Sequence, residues 1–75
     1  MKQIVFGNMK GIPERNIIIG DDNSTVIVTR GESYRIIHKN GLMLFEPITK
    51  IEEKRITLET GNIYYFRDLV CIIEE

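Results

Sequence analysis

The sequence predicts an all-β domain, a small antiparallel barrel of five to seven short strands with little or no helix. Three observations predict it. Apolar residues come in short runs that alternate with polar ones, not in helical stripes. Turn-forming pairs such as Asn40-Gly41 and Gly61-Asn62 cut those runs at short intervals. The apolar content is mostly isoleucine, joined by valine, phenylalanine and tyrosine, which suit a half-buried pleated surface. Alanine, the best helix former, is absent.

The 75 residues make one domain, 1–75, with N-terminal strands over 1–30 and a meander over 31–75. A chain of this size buries only about 60% of the surface it exposes when unfolded. Its core is therefore small, and a partner or a second copy would add to it. Ten Lys and Arg stand against eleven Asp and Glu, for a net charge of −1. A protein that holds nucleic acid through its phosphates is normally basic, so this balance weighs against that role. Cys71 is the only cysteine. With no disulfide available, the reading is a reducing, cytoplasmic setting. The apolar run in MKQIVFGNMKGIPERN is shorter than a signal peptide's, and no stretch has the length of a membrane span.

Taken in order, Lys2 to Phe6 is a first strand, with Ile4 and Phe6 on one face and Val5 on the other. GNMKGIPER, over residues 7–15, is a loop with a tight helical turn from Pro13 to Asn16. Ile17-Ile18-Ile19 is either a strand buried on both faces or the rim of an oligomer contact. Gly20 to Ser24 is a turn; its two aspartates lack the alternate ligands of a calcium loop and read as a solvated tip. Thr25 to Arg30 and Ser33 to His38 alternate as strands, with a turn at Arg30-Gly31-Glu32. Asn40-Gly41 predicts a two-residue type I′ hairpin, which places Ile37 opposite Leu44 and Arg35 opposite Glu46.

Pro47 cannot donate to a ladder and predicts a bend or bulge. EPITKIEEKR, residues 46–55, is preferred as a bent strand through Ile48 and Ile51 with a turn at Glu53-Lys54. A short helix is the alternative. Arg55–Thr60 and Ile63–Phe66 form the last hairpin, with Ile56, Leu58, Ile63 and Tyr65 expected on one face and Thr57, Glu59, Tyr64 and Phe66 on the other. Arg67-Asp68-Leu69 is a short turn before a final strand, Val70 to Ile73.

The segments GESYRII, ITLETGNIYYF and the RDL turn before the last strand resemble those of SH3-like barrel modules, over residues 31–75. The resemblance implies a small SH3-like barrel and a non-enzymatic binding module of the kind found in accessory proteins of bacteria and their phages. In that setting the chain would inhibit or regulate a host protein. The acidic and tryptophan-bearing loops that grip proline-rich ligands are missing, so that activity is not implied.

The expected partner is another protein, contacted through Tyr34, Tyr64, Phe66 and Arg35, because exposed aromatics and arginines carry much of the binding energy at interfaces. Pairing of the NIII and VCII runs would make a homo-oligomer. The alternative is a nucleic-acid surface built from Arg30, Arg35, His38 and Lys39. No catalytic, metal or cofactor site is expected: His38 lacks an orienting partner, and Cys71 lies in an apolar strand.

Overall fold

The computed structural model describes residues 2–75, and among these residues there are nine strands, three 3-10 turns and no α-helix. The strands are β1 (Gln3–Phe6), β2 (Lys10–Ile12), β3 (Ile17–Ile19), β4 (Thr25–Ile27), β5 (Ser33–His38), β6 (Met43–Ile51), β7 (Arg55–Leu58), β8 (Ile63–Tyr65) and β9 (Leu69–Glu74). The 3-10 turns are Pro13–Arg15, Asp21–Asn23 and Phe66–Asp68. The expected strands, the turn at Pro13 and the turn before the last strand are all present. β2 was not expected. It forms inside the predicted loop because β3 offers it a ladder, Lys10 to Ile19 and Ile12 to Ile17.

The strands form two antiparallel sheets. The larger has the order β1-β9-β5-β6-β7-β8, the smaller β2-β3-β4. Neither closes by strand pairing, so an open sheet replaces the expected barrel. The β1 edge is covered by side chains: Gln3 Oε1 accepts the Ile27 N–H at 2.8 Å and Ser24 Oγ accepts the Phe6 N–H at 3.3 Å. The smaller sheet meets the other end of the larger one where the Gly11 N–H donates to the Glu53 carbonyl at 3.0 Å. Side-chain and single backbone bonds thus satisfy edge groups that a closed ladder would have paired.

Residues 46–55 hold no helix: β6 runs on to Ile51, a turn spans 52–54 and β7 begins at Arg55. β6 runs on past Pro47, pairing with β5 up to that residue and with β7 from Ile48. Pro47 sits where the strand changes partner, so its missing donor breaks no ladder bond. A bulge follows between Ile48 and Lys50. The Thr49 hydroxyl lies 3.2 Å and 3.3 Å from the Thr57 and Leu58 carbonyls and shares its one proton between them across the bulge.

The first hairpin's register differs from the expected one by a residue, and the second hairpin reverses the expected faces. In the first, the Gly41 N–H donates to the His38 carbonyl and the His38 N–H to the Leu42 carbonyl. The loop is therefore the three residues Lys39-Asn40-Gly41, with Gly41 at φ +96. This is a turn closed by a glycine bulge, not a two-residue type I′ turn. Leu58 to Asn62 repeats it: the Gly61 N–H donates to the Leu58 carbonyl, the Leu58 N–H to the Asn62 carbonyl, and Gly61 has φ +92. Arg35 consequently faces Phe45, Ile36 faces Leu44 and Ile56 faces Tyr64. The predicted Arg35–Glu46 pair does not form; Glu46 accepts a hydrogen bond from Thr60 instead.

The core lies between the sheets. Val5, Ile36 and Ile72 stand abreast on β1, β5 and β9, Ile18 and Val26 come from the smaller sheet, and Ile56, Leu58, Phe66 and Leu69 belong to the same cluster. Tyr34 is fully buried, yet its hydroxyl is satisfied: it accepts the Thr29 N–H at 2.6 Å and donates to the Ile27 carbonyl at 3.2 Å. That pair of bonds ties the chain leaving β4 to β5.

Candidate functional site

The larger sheet has one face in the core and one in solvent. The ladder partners define two rows on the solvent face. One row runs Phe6, Cys71, Ile37, Met43; the next runs Ile4, Ile73, Arg35, Phe45. A strand with solvent on one side normally alternates apolar and polar residues. Here β1, β5, β6 and β9 carry apolar residues at both parities, so the outward face is apolar as well. Met43 and Phe45 are 55% and 57% exposed, and Ile4 and Phe6 are also exposed. Soluble monomers seldom leave a contiguous apolar patch of this kind uncovered without a use for it.

Arg35 is the one charge within the rows. Its guanidinium lies 5.8 Å from the centroid of the Phe45 ring and pairs with Glu75. Cys71 stands between Phe6 and Ile37. Burial pushes its thiol pKa upward, away from a reactive thiolate.

The structure does not bring together the aromatic residues expected at a partner surface. Tyr34 is a core residue, Phe66 is 3% exposed, and Tyr64 is half-buried against the core with its ring edge-on to His38 at 6.1 Å. The three-residue loop at Gly61 turns Tyr64 inward and leaves Ile63 and Tyr65 in solvent, the reverse of the expected faces. Of the four, only Arg35 lies on the exposed sheet face.

The four candidate nucleic-acid residues are also dispersed. Arg30 lines a cleft of about 570 Å³ with Lys50 and Glu59, between the chain after β4 and strand β6. Arg35 is on the sheet face. His38 packs against Tyr64, its Nδ1 accepting the Asn40 N–H at 3.1 Å, and Lys39 points to another groove at the hairpin end. Arg55 is held by Glu52, with Nε 2.8 Å from Oε1. That hydrogen bond holds the Glu52 carboxyl below its ordinary pKa and raises that of Arg55. Among the described residues no group of three His, Cys, Asp or Glu side chains is placed to hold a metal ion. No helix among them is long and apolar enough to cross a membrane.

The residues that sequence reasoning missed are Ile4, Phe6, Ile37, Met43, Phe45 and Ile73. The signal for them was present. Ile36-Ile37, Ile72-Ile73 and Ile4-Val5-Phe6 put apolar side chains on both faces of strands that have only one core to fill. No protein-family model, no curated protein and no solved structure matches the chain.

Proposed function

We propose that the chain is a non-enzymatic protein-binding module whose partner covers the outer face of the larger sheet. The single observation that carries this reading is the pair of cross-strand rows, Phe6-Cys71-Ile37-Met43 and Ile4-Ile73-Arg35-Phe45. Full burial of such a side chain stabilises by about 1.5–3 kcal/mol. Each half-exposed residue here therefore offers on the order of 1 kcal/mol to a partner. Four of them outweigh a typical surface ion pair several-fold.

The meander β5-β6-β7-β8, the 3-10 turn Phe66–Asp68 and the return of β9 to pair with β5 support the resemblance of residues 31–75 to SH3-like modules. By analogy with such modules, the setting is the cytoplasm of a bacterium, and the role is that of a phage or mobile-element protein that inhibits or regulates a host protein. The nucleic-acid reading has less support, because Arg30, Arg35 and His38-Lys39 occupy three separate places.

The test compares wild type with a Met43→Asp, Phe45→Asp double variant as baits, both checked for fold by circular dichroism. Captured proteins are quantified by mass spectrometry, and light scattering reports self-association. A protein held by the wild type and lost by the variant is expected, together with slower alkylation of Cys71 in the complex. Equal capture by both baits would remove the face from consideration.

A further inference from the structure

A second surface is built at the end of the sheet where the row Phe6-Cys71-Ile37-Met43 stops. It is a groove of about 380 Å³ floored by Met9 and Phe66 and walled by Lys39, Lys54, Tyr65 and Arg67. Three separate loops deliver its cations, and the backbone fixes two of them. The Lys39 N–H donates to the Asp68 carbonyl at 2.8 Å, and the Lys54 carbonyl accepts the Phe66 N–H at 2.9 Å. Both lysines are thereby held against the Phe66–Asp68 turn that carries Arg67. The convergence follows from the fold; the three positions are far apart in sequence.

The charge in the groove is unbalanced. No carboxylate is among its described lining residues, although that of Asp21 lies against Gly7, which lines it. Lys39 and Lys54 form no ion pair among the described residues, whereas Lys10, Arg35 and Arg55 each do. Arg67 meets Asp68 only at 4.0 Å, and its side chain is 80% exposed. In a chain of net charge −1, a cluster of like charges around a concave surface raises a local positive potential that recruits anions.

We propose that this groove receives an acidic peptide segment of the partner protein, two or more Asp or Glu side chains set beside an apolar one. The proposal rests on the protein-binding reading and adds the chemistry of the partner. Charge complementarity requires an anionic occupant. The Tyr65 ring favours a carboxylate over a nucleobase: Arg67 and Arg55 guanidiniums already lie 5.3 Å and 5.9 Å from its centroid, so the ring is engaged rather than free for stacking. The groove also adjoins the apolar face, since Gly7 follows Phe6 directly, and Leu42 and Val70 are exposed nearby. An acidic segment flanked by apolar residues engages both surfaces at once.

The experiment titrates labelled protein with a capped Glu-Leu-Glu-Glu peptide, its Gln-Leu-Gln-Gln counterpart and a poly-dT hexanucleotide, following amide shifts by NMR. Shifts at residues 7–9, 39, 54 and 65–67 with the acidic peptide alone are expected. They should weaken on raising salt, and charge reversal in Lys39→Glu, Lys54→Glu should lower affinity by about tenfold or more. Absence of these shifts with the acidic peptide, or equal response to the Gln peptide, overturns the proposal, as does tighter binding of the hexanucleotide at the same residues. The Met43→Asp, Phe45→Asp variant separates the two readings. Its loss of partner capture reads the sheet face, while the peptide shifts on the wild-type chain read the groove, so either reading can fail without the other.

Discussion

Arg35 stands directly across the β5–β6 ladder from Phe45, with its guanidinium 5.8 Å from the ring centroid and its charge paired to Glu75. The arrangement places one cation inside an otherwise apolar pair of rows. An arginine whose stem lies on an aromatic ring can be desolvated with less loss than a lysine, and such residues recur at the centre of interfaces.

Replacing Arg35 with alanine therefore separates stability from binding. Both members of the Arg35–Glu75 pair are about one-third exposed, so solvent screens the pair and the melt should shift by no more than about 1 kcal/mol equivalent. Capture of the partner should fall by a larger factor than stability does. Thermal melts and binding run side by side on Arg35→Ala and Phe45→Ala check this.

Tyr34→Phe removes one oxygen from a fully buried side chain and leaves the Thr29 N–H and the Ile27 carbonyl without their partner. A backbone group stripped of its bond costs about 1–3 kcal/mol. The expected loss is toward the middle of that range, and a fall in Tm of roughly 5–15 °C would report it. A melt within a degree of wild type would mean that water replaces the hydroxyl at no cost.

Local pattern made most of the strands legible. Val5 and Val26 alternate with exposed neighbours, Tyr34 and Ile36 with half-buried ones, and the turn glycines mark where each run stops. β2 was hidden because its middle residue is Gly11, which contributes nothing to an apolar pattern; its strand character comes from β3. The registers were hidden for a different reason. Asn40-Gly41 is compatible with a two-residue and a three-residue loop, and the choice shifts every cross-strand pair by one. The extra residue in that loop is why Phe45 reaches solvent, and the like loop at Gly61 is why Tyr65 does and Tyr64 does not. The groove at Lys39, Lys54 and Arg67 depends on backbone bonds between loops remote in sequence, which no local pattern encodes.

Gly41→Ala and Gly61→Ala should destabilise by similar amounts. No atom lies within 4 Å of the position of an added Cβ at either site, so sterics with neighbours play no part. Both have left-handed φ, +96 and +92, which costs an L residue roughly 1–2 kcal/mol. Denaturant melts should give the two variants the same loss within about 0.5 kcal/mol. A large difference between them would show that the loops are not equivalent.

Gly11→Ala tests a close approach instead of a dihedral. An added Cβ would press on the Glu52 carbonyl oxygen and the Ile51 Cγ2. Backbone cannot yield as a side chain can, so β2 must move off the β6–β7 turn and the Gly11–Glu53 bond is lost. A cost of about 2–3 kcal/mol is expected. Hydrogen exchange should show it as faster exchange confined first to residues 10–12 and 52–54. Uniform acceleration across all strands would instead mark β2 as integral to the global unfolding unit.

Cys71 reports on the sheet face through its own chemistry. Burial disfavours the thiolate, so the folded pKa lies above the ordinary value of 9.0. The raised value has a definite sign for stability: the contribution is complete below 9.0 and is lost as pH rises through the folded pKa. Alkylation at pH 8 should therefore be several-fold slower in the native chain than in guanidinium, where the thiol is free and solvated. Its rate should keep rising with pH beyond the point at which the unfolded chain levels off. A partner seated across Phe6, Ile37 and Met43 covers the thiol between them and should slow the native rate further. A native rate equal to the unfolded one would place Cys71 in open water, which is incompatible with its position between Phe6 and Ile37 in a packed row.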